Sequence, residues 1–494
     1  METENREKKV LAIDFGASSG RAMLGTFNGD NINIKEIHRF SNDPVLVNGI
    51  MYWDVLRLFH EIKQSLIKSK LYGKIDSIAI DTWGVDFGLL DKDGNLLENP
   101  VHYRDKRTSG MIQKSFEVIS KEDFYSITGN QFMEINTAFQ LLSLKESRKD
   151  VLDRAETMLL MPDLFSYMLS GVKTTESTIA STTQLFDAKN KCWSKEVINK
   201  LGLPEKIFED IVTSGTVIGE ISNDICEELD IYPSKVIAVA GHDTQSALVA
   251  TPTKEEDFIF ISCGTWSLLG TELEDPIINE KSLKLNITNE DAYKGKSTFL
   301  KNIVGLWLVQ ESRRQWMREG KEFSFALLDE MAAGAKPFRC FINTDDPVFT
   351  PSGNIPKRIQ EYCKKTGQFV PKTEAEIIRC INESLALKYR ATLEEIKSCT
   401  GKEYNTIYIV GGGTQSNLLC NMTASACNLR VSAGPVEAAV LGNVCLQFIA
   451  MGDIKDITHA RSIIKKSHNI TIHQPENVDK WDEVYKKFRE VTKC

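Results

Sequence analysis

The chain has 494 residues, of which 42% are hydrophobic and 26% charged, and it carries a formal net charge of −8. That length exceeds what a single core supports and calls for two or more domains. The acidic balance, with no dense Lys/Arg block, excludes a nucleic-acid footprint. No apolar run reaches the roughly 20 residues needed to cross a bilayer.

The N-terminus METENREKKV is polar and lacks the apolar centre of a signal peptide, so a cytoplasmic protein is expected. The 11 cysteines are scattered, with no CxxC pair, and read as free thiols of a reducing compartment. Cys363 with Cys380, or Cys420 with Cys427, are candidate neighbours in space. The 7 histidines form no HExxH and no Cys/His cluster, so no transition-metal site is expected.

The first element, Val10–Phe27, reads VLAIDFGASSGRAMLGTF: an apolar strand, a turn of glycine and small hydroxyl residues, and a returning strand. Asn28-Gly29-Asp30 then links it to a third strand-like run, Ile32–His38, a strong hairpin signal. GASSG also occurs in dinucleotide-binding turns. Those lead into a helix with spaced glycines, and here a strand follows. Helical patterning covers Trp53–Ser69. A buried strand, Ile75–Asp81, ends in Asp81-Thr82-Trp83-Gly84-Val85-Asp86-Phe87, and Asp91–Asn95 is a turn. Residues 121–205 read as largely helical, with a break at Thr128–Asn136.

A further buried strand, Val236–Ala240, runs into Gly241-His242-Asp243-Thr244, and Ser246–Ala250 reads as helix. The domain boundary is placed near residues 246–256, dividing 1–246 from 247–494. Asp257–Leu273, DFIFISCGTWSLLGTEL, then repeats the layout of Val10–Phe27. Helix is expected over Glu374–Lys397, strand over Thr406–Val410, then Gly411-Gly412-Gly413 and a helix from about Ser416. Alternating strands and helices in both halves define an α/β class with mixed sheets.

Two glycine-and-hydroxyl turns, one per half, suit phosphate, because successive backbone N–H groups in such turns face anions. Asp14 ends the first strand beside its turn. A carboxylate there repels phosphate unless a cation intervenes, so Asp14 is a candidate Mg²⁺ ligand. The glycine triplet at 411–413 admits a flat ring close to the backbone and is a candidate adenine site. Asp243, at a strand's carboxyl end, is a candidate general base. Phosphoryl transfer has a loose transition state, so an ordinary carboxylate suffices if it orients the hydroxyl and takes its proton late. Trp83 can cover the apolar face of a sugar, with Asp81, Thr82 and Asp86 on its hydroxyls and Gly84 leaving room. Tyr103-Arg104-Asp105-Lys106-Arg107 reads as a solvated charged turn and is not assigned to the site.

Taken together, DFGASSGR, DTWGVDF, GHDTQSA, SCGTWSL, KNIVGLWLVQ, IVGGGTQSN and AGPVEAAVLGN occur here in the order seen in FGGY-type carbohydrate kinases. The chain resembles that family from about Leu11 to the helix at Trp481–Phe488. The resemblance implies an actin-like fold of two domains with ribonuclease-H-like cores and mixed sheets flanking a nucleotide cleft. The N-terminal domain is expected to bind sugar and carry the first phosphate loop. The C-terminal domain is expected to carry the second loop and the adenine site.

The resemblance also implies ATP contacts at Ala17, Ser18, Ser19, Gly20, Arg21, Thr265, Gln310 and Gly412. It implies sugar contacts at Gly84, His242, Asp243, Thr244 and Asn302, joined by Trp83 from the reading of its motif, with Asp243 as proton acceptor. The cofactors implied are ATP and Mg²⁺. The acceptor implied is a ketose, phosphorylated on the 1-hydroxyl as in family members that act on L-rhamnulose. L-Fuculose, D-xylulose and glycerol kinases, and a non-catalytic sugar-responsive scaffold, are the alternatives. No nucleic-acid or membrane partner is expected, and the sequence is silent on oligomeric state, with a monomer as one reading.

Overall fold

A computed structural model of the chain describes residues 7–16 and 19–493. The chain forms two compact units, neither continuous in sequence. The first takes the residues up to Ala250, then Glu272–Phe299 and Ala438–Ser467; the second takes Thr251–Thr271, Leu300–Glu437 and the residues from His468 onward.

The first unit is built on six strands: β1 (Lys8–Phe15), β2 (Ser19–Phe27), β3 (Ile32–Ser41), β4 (Ser77–Thr82), β5 (Thr216–Glu220) and β6 (Lys235–Ala238). Their order is β5-β6-β4-β1-β2-β3. β1 pairs antiparallel with β2 and parallel with β4, and β4 pairs parallel with β6. The central strands are covered on both faces, which is why they read as unbroken apolar runs. Val10, Leu11, Ala12, Ile13 and Phe15 are all fully buried. The β2–β3 connection is the expected tight hairpin. Asn28 Oδ1 accepts from the amides of Asp30 and Asn31, and Gly29 takes a φ of +100°.

Helix Val55–Ser69 starts at Asp54, whose side chain accepts from the Arg57 amide, and buries Val55, Leu58, Ile62 and Leu66 at helical spacing. Much of the segment between residues 87 and 211 gathers around a separate core that includes Phe124, Phe139, Leu160 and Phe186. Helices Lys121–Thr128 and Thr137–Ser147 pack into it, with the expected break between them, whereas helix Met161–Ser170 packs Met161, Leu164, Phe165 and Leu169 into the core of the main sheet. Short strands at Thr157–Leu160, Thr175–Glu176, Phe186–Asp187 and Cys192–Trp193 interrupt the region read as largely helical. They are too short to carry a recognisable period of two.

The second unit repeats the sheet. Six strands of its seven-stranded sheet are β7 (Ile259–Cys263), β8 (Trp266–Leu273), β9 (Ser297–Val304), β10 (Thr406–Val410), β11 (Arg430–Ala433) and β12 (Thr471–His473), in the order β9-β8-β7-β10-β11-β12. β7 pairs antiparallel with β8 and parallel with β10; β10 and β11 are parallel, and β11 and β12 antiparallel. β7 therefore stands where β1 stands, β8 where β2 does, and β10 where β4 does. The sequence repeat is the visible part of a duplicated mixed sheet. In both hairpins the leading glycine closes the turn, Gly16 N–H to Ser19 O at 3.0 Å and Gly264 N–H to Trp266 O at 2.8 Å.

Helix Glu374–Thr400 opens on a capping box of Thr373 and Glu376 and stops at Gly401, whose φ is +67°. The last helix, Val478–Thr492, packs within the second unit, where Trp481, Tyr485 and Phe488 join Phe341 and Leu387. Among the described residues, no helix is long and apolar enough to cross a membrane.

Helix Ala438–Ala450 lies far along the chain yet belongs to the first unit. A Cβ at its Gly442 would sit 1.8 Å from the carbonyl oxygen of Ser246, on helix Asp243–Val249. Only glycine lets these two helices approach so closely. Gly442→Ala is expected to destabilise the protein by about 1–3 kcal/mol, because the obstacle is backbone and cannot rotate away. Urea unfolding checks this, with a lowered midpoint at constant slope as the expected result.

Candidate active site

Three parallel strands of the first unit end together, and each delivers a carboxylate. In the β1–β4 ladder Asp14 and Asp81 are direct partners. The Thr82 amide donates to Gly241 O at 2.9 Å, and a parallel bridge joins Thr82 to His242. Asp243, the next residue, opens helix Asp243–Val249. The carboxyl ends of parallel strands are the usual place for functional groups in α/β sheets.

Each acid is handled differently. Asp14 accepts from Arg21 Nε at 2.8 Å, its direct partner across the β1–β2 hairpin. Asp81 is fully buried. Its Oδ2 accepts from Asn443 Nδ2 at 2.6 Å, while its Oδ1 is buried without a hydrogen-bond partner. Burial and the adjacent Asp14 push the Asp81 carboxyl well above the usual range. Asp243 has a side chain that is 33% exposed. Loss of solvent raises its pKa to about 6; His242 pulls it down, and Asp14 pushes it up. Hard oxygen donors with one unpaired buried oxygen suit a hydrated divalent cation, and Asp14 with Asp81 could hold one.

His242 is fixed on both sides. Its Nδ1 lies 3.1 Å from Glu290 Oε2 and its Nε2 3.6 Å from Asp243 Oδ1. Gln245 Nε2 also donates to Glu290 at 3.1 Å, and Thr298 holds Gln245 in turn. Burial disfavours the charged imidazole, but Glu290, joined by Asp243 and Glu176, outweighs it and raises the His242 pKa. Behind the turn, Glu176 accepts from the Gly241 amide at 3.0 Å, the Thr178 amide at 3.0 Å and Ser214 Oγ at 2.5 Å. A buried carboxylate thus sets the path of the backbone that carries His242 and Asp243.

The motif at 81–86 turns through strain. Val85 has a φ of +69°, and the Asp86 amide donates to Gly84 O at 3.0 Å, which makes a γ-turn of the rare positive-φ form. A β-branched residue pays for that conformation, and its neighbours hold it there. Thr182 Oγ1 accepts from the Val85 amide at 3.2 Å, and Thr137 Oγ1 donates to the Val85 carbonyl at 2.7 Å.

The result points Asp86 inward, where it accepts from Trp53 Nε1 at 2.6 Å, Trp83 Nε1 at 2.9 Å and Gln140 Nε2 at 2.9 Å. Burial raises its pKa to about 6 against the pull of those donors. Trp53 lies 4.2 Å from the Trp83 ring and 4.2 Å from His102. His102 is pushed down to about 3 by burial and then by Arg104, so its ring is neutral.

The turn at Tyr103–Arg107 is not the solvated loop that its charges suggested. Tyr103 and Asp105 are buried. The Tyr103 amide donates to Asp86 at 3.3 Å, and Arg107 Nη2 donates to Gln140 Oε1 at 2.8 Å. The segment completes the shell around Asp86.

Of the expected nucleotide residues in the first unit, Ala17 and Ser18 lie outside the described residues. Ser19, Gly20 and Arg21 open β2. A Cβ at Gly20 would meet the Phe40 ring at 2.2 Å, so any side chain there would have to displace that ring. In the second unit Thr265 Oγ1 donates to Gln310 Oε1 at 3.2 Å. The carbonyls of Gly264 and Thr265 receive the amides of Leu306 and Trp307, so the turn is tied to the start of helix Trp307–Arg318.

The glycine triplet divides by role. Gly411 has a φ of +85°, and a Cβ at Gly413 would lie 2.2 Å from Cys263 Sγ, whereas a Cβ at Gly412 would meet nothing within 4 Å. Backbone shape and packing dictate the outer two, and only Gly412 faces open space. Asn302 lies on β9 in the second unit, while Trp83, Gly84, His242, Asp243 and Thr244 lie in the first.

Sequence reasoning did not find Glu290, Glu176, Asn443, Gln140 or Trp53. Asn443 closes the motif AGPVEAAVLGN without having been given a role, and the others stand in no motif. Their only local signal is a polar or indole group in a stretch that is otherwise buried, which becomes informative once the partners are known.

A duplicated mixed sheet with carboxylates and glycine–hydroxyl turns at its strand ends is the framework of a phosphotransferase. The models of the FGGY family of carbohydrate kinases match the chain, the N-terminal domain over residues 9–250 and the C-terminal domain over 259–451. A rhamnulokinase of Bacteroides thetaiotaomicron is 40% identical over 484 residues, covering 98% of this chain and 99% of that protein. A rhamnulokinase of Enterococcus faecalis is 40% identical over 485 residues, covering 97% of each. Among solved structures, a gluconate kinase from Lactobacillus acidophilus superposes with a TM-score of 0.80 at 17% identity, covering 98% of both chains, a likeness of fold. The chain belongs to the FGGY family of carbohydrate kinases.

Asp86→Ala removes an acceptor from two indole N–H groups, the Gln140 side-chain amide and the Tyr103 backbone amide. It is expected to cost about 1.5–3 kcal/mol of unfolding free energy, the range for a hydrogen bond to a charged group. Chemical denaturation followed by tryptophan fluorescence checks it, since Trp53 and Trp83 report on the same site.

Proposed function

We propose that the chain transfers the γ-phosphoryl group of ATP to the 1-hydroxyl of L-rhamnulose, a cytoplasmic step of L-rhamnose catabolism. Two rhamnulokinases matched over nearly their full length support the choice of sugar. The observation that carries the chemistry is Asp243, partly open at a strand's carboxyl end and flanked by an anchored histidine.

In this reading the first unit binds the sugar. Trp83 offers its ring to the apolar face, Gly84 leaves room, and His242 and Thr244 meet hydroxyls. Asn302 of the second unit is assigned to the sugar as well. Asp243 accepts a hydrogen bond from the 1-hydroxyl, fixes its direction and takes its proton as the new P–O bond forms. A carboxylate of pKa about 6 is a better acceptor than an ordinary aspartate and is still ionised at neutral pH. His242, positioned by Glu290, keeps a donor beside that carboxylate.

The nucleotide falls to Ala17, Ser18, Ser19, Gly20 and Arg21 of the first turn and to Thr265, Gln310 and Gly412 of the second unit. Asp14 and Asp81 would hold Mg²⁺, which when bound neutralises charge on the phosphate oxygens. Arg21 holds the Asp14 carboxylate in place.

The reading is tested by coupled ADP release with L-rhamnulose, L-fuculose, D-xylulose and glycerol. The highest kcat/KM is expected with L-rhamnulose. Preference for another acceptor would replace the substrate, and no sugar-dependent ADP release with any of them would favour a non-catalytic scaffold. Asp243→Asn is expected to lower kcat by roughly 10²–10⁴-fold while Mg·ATP affinity, measured by calorimetry, stays near that of the unaltered protein. Near-normal turnover in that variant contradicts the assignment.

A further inference from the structure

The β7–β8 turn of the second unit has a part-open tip on a buried root. Gly264, Thr265 and Trp266 are partly exposed, whereas Cys263 is 2% exposed and Ser267 0%. Cys263 and Ser267 are direct partners across the ladder, so their side chains share one face of the sheet. Tyr389, within helix Glu374–Thr400, meets them there from 122 residues away. Its hydroxyl lies 2.7 Å from Ser267 Oγ and 3.7 Å from Cys263 Sγ, and those two atoms lie 3.6 Å apart. The phenol is fully buried, and burial raises its pKa well above the usual range, so it stays neutral and able to donate. Nothing in the proposed reaction uses these three groups.

We propose that Tyr389 is a positioning residue for the ATP phosphates, acting through Ser267 and Cys263 on the turn that carries Thr265. The inference rests on the assignment of that turn to ATP. A turn that must be ordered on binding costs affinity, and one already held in shape does not. This turn is pinned on two sides. Toward helix Trp307–Arg318, the amides of Gly305 and Trp307 donate to Thr265 O at 3.2 and 3.1 Å, and the Leu306 amide donates to Gly264 O at 3.0 Å. Toward helix Glu374–Thr400, the pin is the Tyr389 hydroxyl. A Cβ at Gly305 would fall 2.5 Å from Ser267 Oγ, so the space around that hydroxyl is already filled. Without the phenol oxygen, Ser267 Oγ keeps the Cys263 thiol, a weak partner, and the root of the turn loosens.

The phosphate and adenine sides separate at Cys263. Its sulfur packs against the glycine triplet, where a Cβ at Gly413 would lie 2.2 Å from it. That packing belongs to the thiol and survives loss of the phenol oxygen. Tyr389→Phe should therefore weaken the grip on phosphate and spare the grip on adenine.

The test compares the full-length protein with Tyr389→Phe, which keeps the ring and removes one oxygen. Calorimetry gives the affinities for Mg·ATP and for adenosine, and coupled ADP release gives KM for ATP and for the sugar. Affinity for Mg·ATP is expected to fall roughly tenfold, the equivalent of one buried hydrogen bond, with a matching rise in KM for ATP. Adenosine affinity and KM for the sugar should stay within about twofold. Ser267→Ala should reproduce the loss, and the double variant should add little to it, because the two hydroxyls act as one bond. If Tyr389→Phe fails to fold, Ser267→Ala decides by the same measurements. If neither folds, hydrogen exchange of the unaltered protein decides: the Gly264 amide, bonded to Trp266 O, should be protected before nucleotide is added. Unchanged Mg·ATP affinity, an equal loss for ATP and adenosine, additive effects of the two substitutions, or a Gly264 amide protected only once Mg·ATP binds would each overturn the inference and leave the ATP assignment standing. An unaltered protein that binds no Mg·ATP would overturn both.

Discussion

The structure depends on placing like charges together where water is scarce. Parallel pairing of β1 with β4 makes Asp14 and Asp81 neighbours in register, and the bridge from Thr82 to His242 brings Asp243 to the same edge. Burial raises the pKa of Asp81 and of Asp243, and the neighbouring Asp14 adds to the effect. The fold offsets this with a separate device for each. Arg21 faces Asp14 across the hairpin, Asn443 donates to Asp81, and His242 stands beside Asp243. What remains uncompensated is one oxygen of Asp81. That is the demand a phosphate-bound cation would meet in the proposed reaction.

These devices explain why the first unit is discontinuous. Helix Ala438–Ala450 returns from late in the chain to supply Asn443 and Gln447. Gln447 accepts from Ser77 Oγ at 2.7 Å and donates to the Leu11 carbonyl at 3.2 Å. The helix reaches the sheet only because Gly25 of β2 and its own Gly442 have no side chains; a Cβ at Gly25 would fall 2.7 Å from Val444. Residues Glu272–Phe299 return in the same way, bringing Glu290 to His242. The first unit thus draws on two segments from beyond residue 250, Glu272–Phe299 and Ala438–Ser467.

Much of this was legible in sequence where the signal was local. The hairpin turn at Asn28–Asp30, the strand Thr406–Val410 and the carboxyl-end position of Asp243 follow from composition and period within a few residues. So does the repeat, which proves to be one hairpin of a duplicated sheet. What could not be read depends on partners hundreds of residues apart. Asn443 meets Asp81 across 362 residues, and nothing near either one announces the other. The segment Tyr103–Arg107 misled because charge density usually marks solvent, whereas here Asp86 and Gln140 supply the partners that let it be buried. The glycine triplet at 411–413 was legible as a turn, but not the division within it that leaves only Gly412 spared by packing.

The central claim is that Asp243 is the proton acceptor and that its surroundings hold its pKa near 6. A carboxyl with a raised pKa is protonated below that value and cannot take the hydroxyl proton, so activity should fall on the acid side. The most direct measurement is kcat/KM for the sugar at saturating Mg·ATP between pH 5 and 8. The account predicts a plateau at neutral pH and a limb below about pH 6 that approaches a tenfold loss per pH unit. A profile that stays flat down to pH 5 would contradict it.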